Sequence, residues 1–216
     1  MYNGRVEVAG PADVHELGRL IISKLAVGPY NNNVYLLRCR QTGAQVLVDA
    51  AAEPGRIMDL IGPESVSLIV TTHRHPDHWQ ALSEVKALTG APTAAHAEDA
   101  PSIPVETDLI LRDGDVIDVG DCSLEAIHLV GHTPGSIALL YDDPDGPPHL
   151  FTGDCLFPGG VGKTGTAEEF ATLLDGVSTK LFDRLPDETW VYPGHGFDTT
   201  VGAERPSLIE WAERGW

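Results

Sequence analysis

The chain has 216 residues, 42% of them hydrophobic and 21% charged, a balance ordinary for a soluble globular fold. Asp and Glu number 32 against 14 Lys and Arg, a formal net charge of −18. That excess, with no basic cluster, argues against nucleic acid and anionic membranes as partners.

One unit spanning 1–216 is expected at this length. Cys39, Cys122 and Cys155 are odd in number and far apart, so no disulfide framework is implied. This fits a reducing cytoplasm. The N-terminus lacks a signal-peptide pattern, and the apolar runs are too short to span a membrane.

Residues 1–18 are polar and mixed. Leu20 to Val27 reads as a strand, followed by the turn cluster Gly28–Asn33. Val34–Arg38 and Gln45–Asp49 read as a hairpin around Thr42-Gly43. Ala51–Leu60 suggests a short helix with Pro54 in its first turn. Ser67–Thr71 reads as a buried strand, and Trp79, Leu82, Val85 and Leu88 recur at helical spacing. A short extended run, Pro92–His96, precedes a Pro-rich loop. From Leu109 to Val130, apolar runs separated by Asp/Gly turns predict an antiparallel meander. Ser136–Tyr141 and His149–Thr152 follow as strands. Thr166 and Glu169 form a capping box for a helix running towards Leu185. Thr189–Tyr192 is the last strand expected, and Pro206–Trp211 a final short helix. Strands in both halves with helices between them predict two mixed sheets covered outside by helices.

Between the Ser67–Thr71 strand and its helix lies Thr71-Thr72-His73-Arg74-His75-Pro76-Asp77-His78-Trp79. It carries three histidines and an aspartate within six residues. Neutral imidazole is the commonest transition-metal ligand, and carboxylate suits the same ions. Strand ends are also where α/β architectures bind ligands. Further donors stand at strand ends downstream: His132 in Gly131–Ser136, Asp154 in Phe151–Asp154, and His195 in Tyr192–Gly196. Each has glycine beside it, which lets backbone approach a crowded site. Together they make seven ligands, enough for two divalent metal ions. His73, His75 and His132 would hold one, Asp77, His78 and His195 the other, with Asp154 between. Zinc is the default for such a set, which also accepts iron or manganese.

The segments Thr-His-Arg-His-Pro-Asp-His, Gly-His-Thr-Pro-Gly-Ser, Phe-Thr-Gly-Asp and Pro-Gly-His-Gly resemble the metallo-β-lactamase superfamily, in its order. The resemblance runs from about the Val34–Arg38 strand to His195. It implies an α/β fold: a four-layered αβ/βα sandwich with the site at one edge between the sheets.

Within that superfamily the chain looks like glyoxalase II, on two grounds. Asp154 fills the Thr-Gly-Asp position, where dedicated β-lactamases usually carry another residue. Phe157–Lys163 resembles that family's Gly-rich loop, in which a basic residue at the Lys163 position holds a carboxylate of the thiol carrier. Phe197 stands near a substrate-pocket tyrosine of some relatives, and as a lone aromatic it also suits packing under the last loop. The sequence ends about twenty residues after His195, without the C-terminal helical domain of full-length glyoxalase II, and so resembles the shorter members.

The implied reaction is hydrolysis of a small thioester of lactoyl-thiol type by a metal-bridging hydroxide, with Asp77 and Asp154 as ligands that orient it. The chain also resembles the superfamily's persulfide dioxygenases. Those hold a single Fe(II) at the positions of His73, His132 and Asp154. Nothing in the sequence bars a homo-oligomer.

Overall fold

Period-two alternation of apolar side chains builds both sheets, because successive residues of a strand face opposite sides. The structure, a computed structural model, describes residues 2–215. Met1 and Trp216, the ends of the expected 1–216 unit, lie outside them. In the first sheet β1 (Asp13–Glu16), β2 (Leu20–Val27), β3 (Asn32–Cys39) and β4 (Gln45–Val48) are antiparallel neighbours in sequence order. Helix α1 (Pro54–Ile61) then carries the chain back, so that β5 (Val66–Val70) lies parallel to β4. After α2 (Leu82–Thr89), β6 (Thr93–His96) and β7 (Leu109–Leu111) extend the parallel half.

The second sheet contains β8 (Val116–Val119), β9 (Cys122–His128), β10 (Ile137–Tyr141) and β11 (His149–Gly153), all antiparallel. A two-stranded ribbon, β12 (Leu156–Phe157) and β13 (Gly160–Val161), projects beside it. Helix α3 (Ala167–Gly176) continues as a π-helical turn over Val177–Phe182. Strand β14 (Trp190–Pro193) pairs parallel with β11 and antiparallel with β15 (Thr199–Thr200). Helices α4 (Val201–Glu204) and α5 (Leu208–Arg214) close the described chain.

Three apolar clusters account for four layers. Leu37, Val46, Val70, Leu139 and Phe151 meet between the sheets. Leu36, Leu47 and Ile69, on the other face of the first sheet, pack on Ile57 of α1 and on Leu82 and Val85 of α2. Leu140, Leu150 and Val191 of the second sheet take Phe170 and Leu173 of α3 and Trp211 of α5. The αβ/βα sandwich of two mixed sheets therefore stands.

Several expected elements shift. The polar N-terminal stretch contains β1, an edge strand whose half-buried alternation has no strong apolar signal. Leu109–Leu111 does not join the meander. It lies parallel to β6, and the Arg112–Asp115 turn carries the chain between sheets. A turn signal tells where the chain reverses, not which sheet receives it. The helix expected from Trp79 starts later, after a 3-10 turn at Pro76–His78. Thr166 caps α3 by accepting from the Glu169 N–H at 3.1 Å. Glu169 returns its carboxylate to the N–H of Gly165 rather than of Thr166. No helix among the described residues is long and apolar enough to cross a membrane.

Candidate metal centre

The loops after β5, β9, β11 and β14 converge at one edge of the sandwich and bring all seven expected donors together. His73 Nε2, His75 Nδ1 and His132 Nε2 form a triangle with sides of 3.0, 2.9 and 3.2 Å. A second set joins His78 Nε2 and His195 Nε2, 3.2 Å apart, with Asp77 Oδ2 at 3.7 and 3.4 Å from them. Asp154 reaches both sets: Oδ1 is 3.4 Å from His78, and Oδ2 is 3.6 Å from His132 and 3.3 Å from His195.

Outer contacts turn the rings. His132 Nδ1 donates to the Lys163 carbonyl at 2.7 Å, and His195 Nδ1 to the Tyr30 carbonyl at 2.9 Å. His73 Nδ1 lies 3.1 Å from the Thr72 hydroxyl, which itself donates to Asp49. His78 Nδ1 faces Asp49 Oδ2 at 2.8 Å. With Nδ1 engaged outward, the Nε2 atoms face inward, the arrangement metal-ligating histidines use; at His78 a bound metal would replace the Nε2 proton that its carboxylate neighbours favour.

This donor set fits divalent metal. The Nε2 atoms of His73 and His132 face each other at 3.2 Å with their N–H groups spent elsewhere, so they share no proton. His73 and His132 would hold a divalent cation through these two Nε2 atoms, and its charge would relieve that lone-pair repulsion. Asp154 Oδ1 is buried and takes no hydrogen bond, although an unpaired buried polar atom costs free energy. It lies 3.4 Å from His78 Nε2, and His73, His78 and Asp154 form a third group of donors that links the two sets.

Electrostatics separate the sets. Burial, with the neighbouring imidazoles, holds His73, His75 and His132 below the usual histidine range, so they are neutral near pH 7. Burial also opposes charging of His78, but the Asp154 and Asp49 carboxylates outweigh it and push the group up to about 10. For Asp154 the balance is the reverse: burial raises it, and the surrounding histidines hold it well below the usual carboxylate range.

Two glycines permit this crowding. A Cβ at Gly194 would stand 2.2 Å from Asp154 Oδ1 and 2.8 Å from His78 Cε1. One at Gly162 would stand 1.8 Å from the Asp154 carbonyl oxygen.

The remaining expected residues sit differently. Lys163 is exposed on the rim, beside a cavity of about 250 Å³ lined by Phe157–Lys163. Phe197, 48% exposed, lies under the Arg5 guanidinium at 5.2 Å. It lines a cavity of about 440 Å³ with the N-terminal segment, and none of the seven donors borders that cavity. Trp79 packs beneath the motif and donates Nε1–H to the Arg74 carbonyl at 2.9 Å.

Two aspartates escaped sequence reasoning. Asp49 orients His78 and Thr72. Asp99, fully buried, accepts from the N–H groups of Arg74 and Gly135 and from the Thr133 hydroxyl, joining the two loops that carry the first set. A lone aspartate after a strand or before Ala-Pro carries no distinguishing pattern.

The family model of the metallo-beta-lactamase superfamily matches residues 27–195. A hydroxyacylglutathione hydrolase of Rhodospirillum rubrum is 33% identical over 178 residues, covering 77% of this chain. The chain spans only 63% of that relative's length. Among solved structures, ETHE1 from Myxococcus xanthus is 28% identical with a TM-score of 0.76, over 89% of this chain and 84% of that one. TTHA1623, in a di-iron-bound form, is 30% identical with a TM-score of 0.69, over 84% and 96%. By its matched residues and its fold, the chain belongs to the metallo-β-lactamase superfamily.

Proposed function

We propose that the chain is a metal-dependent thioester hydrolase of glyoxalase II type, acting on a small acyl-thiol such as a lactoyl conjugate. The observation that carries this reading is the pair of three-donor sets joined by Asp154, with no donor missing. The hydrolase named among the relatives supports it. Zinc suits the His/Asp set; the di-iron form of TTHA1623 keeps iron in view.

When bound, divalent metal lowers the pKa of water from about 15.7 to about 7 and polarises a carbonyl oxygen. The chain's own contribution is placement. His73, His75 and His132 would hold one ion, and Asp77, His78 and His195 the other. Asp154 fixes the spacing of the two sets, and Asn32 Nδ2 donates to Asp77 Oδ2 at 3.0 Å and sets its direction. A thiolate leaves readily, so this site needs no strong general acid. Lys163, on the rim, offers an ammonium to a carboxylate of the carrier.

A second reading has its own support. His73, His132 and Asp154 form a 2-His-1-carboxylate group, with His132 Nε2 at 3.2 Å from His73 Nε2 and 3.6 Å from Asp154 Oδ2. That is the donor set of mononuclear non-haem iron oxygenases, and the ETHE1 likeness fits it.

Metal content per chain, measured on protein purified without added metal or chelator, separates the two. About two ions per chain, with hydrolysis of S-lactoylglutathione, supports the hydrolase. About one iron per chain, with oxygen uptake on glutathione persulfide and no thioester cleavage, overturns it in favour of the dioxygenase.

A further inference from the structure

Two cysteines meet at the end of the sandwich opposite the His/Asp cluster. β3 starts at the cluster, where Asn32 contacts Asp77 and Asn33 contacts the Pro193 carbonyl, so Cys39, its last residue, lies at the far end. β9 runs the other way and delivers the chain to His132, so its first residue, Cys122, lies at that far end too. Both side chains belong to the core between the sheets, 1% and 5% exposed. They also line one cavity of about 290 Å³, together with Arg19, Arg40 and Asp121.

The approach is close. A Cβ at Gly120 would lie 3.0 Å from Cys39 Cβ and 3.1 Å from its sulfur, and Gly120 opens the turn into Cys122. Cys122 Sγ donates to the Arg19 carbonyl at 3.6 Å, and that carbonyl also accepts from the Arg40 N–H. Arg19 precedes Leu20, the ladder partner of Cys39. The Cys122 thiol therefore hangs over the ladder edge where β3 ends.

The two thiols differ. Burial pushes Cys39 up, but hydrogen bonds from the Thr42 hydroxyl and from the amides of Thr42, Asp121 and Gln41 outweigh it and bring the thiol down to about 7. Cys122 is pushed up, first by burial and further by Cys39 beside it. Cys39 is thus the more nucleophilic of the two sulfurs, reached through the cavity that both line, and Cys122 keeps its proton, the division of labour of an attacking and a resolving cysteine.

We propose that Cys39 and Cys122 are a hydroperoxide-reactive dithiol that closes to a disulfide joining the two sheets. The Cys39 thiolate attacks the peroxide O–O bond; an S–O bond forms, the O–O bond breaks, and the departing oxygen takes a proton as alcohol or water. Cys122 sulfur then attacks the Cys39 sulfenic acid. The S–S bond forms, the S–O bond breaks, and hydroxide leaves with the Cys122 proton as water. Two thiols lose two electrons, and the hydroperoxide gains them.

The test is hydrogen peroxide added to the full chain, followed by unreduced peptide mapping and mass measurement. The expected result is loss of two hydrogens per chain, a Cys39–Cys122 cross-linked peptide, and an intact Cys155 thiol. Cys155 is the internal control, since it does not line the cavity that Cys39 and Cys122 share and burial pushes its thiol far up. Cys122→Ser should stop at a Cys39 sulfenic acid trapped by dimedone, and Cys39→Ser should leave Cys122 reduced. Cys39 and Cys122 persisting as thiols, or oxidising separately without a cross-link, overturns the proposal. Mapping of the unsubstituted protein decides the matter even if a variant fails to fold.

Discussion

Asp49 stands just past β4 with φ of 59°, a left-handed conformation that aspartate tolerates better than most residues. From there Oδ1 accepts the Thr72 N–H, while Oδ2 accepts the Thr72 hydroxyl and faces His78 Nδ1, each at 2.8 Å. An asparagine has one acceptor oxygen and no charge, so it cannot serve all three. Asp49→Asn should weaken metal binding by about 10–100-fold while the fold persists. Competition with a chromophoric chelator measures this, and unchanged affinity would remove Asp49 from the ligand-orienting role. Deleting a donor acts more directly: His75→Ala or Asp154→Ala should abolish turnover with the far-UV circular dichroism spectrum retained. Full activity in either variant would sink the assignment. The seven gathered donors were legible because four share one short motif and three sit by glycines at strand ends. Asp49 and Asp99 were not, because their partners lie 23–36 residues away in sequence and no local pattern encodes such a contact.

The loop that carries His195 is held by two strands remote from it in sequence. Asn33 Nδ2 donates to the carbonyls of Pro193 and Gly196, and Tyr35 Oη donates to Pro193. Lys24 Nζ donates to the Gly4 and Gly196 carbonyls and pairs with Asp198 Oδ1 at 2.5 Å. Tyr2 hydrogen-bonds the other oxygen of that carboxylate. The Lys24 and Asp198 side chains are 0% and 1% exposed. Burial lowers the Lys24 pKa and raises that of Asp198, so for each partner desolvation outweighs the attraction. Such a pair adds little net stability, yet removing one member strands the other. Lys24→Met should therefore cost about 3–5 kcal/mol, and Lys24→Met combined with Asp198→Asn should recover most of it. Urea unfolding of the two variants tests this; equal losses would mean that packing, not the stranded charge, sets the cost. Strand existence was legible from alternation, whereas the sheet that receives β7 was not. That choice rests on Asp108, whose carboxylate takes the Thr93 N–H and hydroxyl and the Lys86 ammonium, and whose own N–H goes to the Thr93 carbonyl.

At the scale of the whole molecule, both sheets feed the metal centre, the first through the loop after β5 and the second through the loops after β9, β11 and β14. Behind it the sheets share a second, metal-independent polar feature. His149, 1% exposed, shares the Tyr192 hydroxyl with His15, each through Nδ1 at 2.8 Å. Its Nε2 is buried without a partner, so a second proton there would be a charge with nothing to meet it. Burial, and then His15, push the group down from 6.5 to about 3. Between those values the unfolded chain binds a proton at this position and the folded chain does not. Stability therefore falls as pH drops below 6.5, at up to about 1.4 kcal/mol per pH unit, and is unaffected by this group above it. Phenylalanine keeps the aromatic contacts with Tyr141 and Tyr192 and cannot titrate. From pH 7 to pH 5 the native protein should lose about 2 kcal/mol more than His149→Phe, read from denaturant unfolding at each pH. Parallel pH profiles for the two proteins would assign the acid-side loss to the other buried histidines instead.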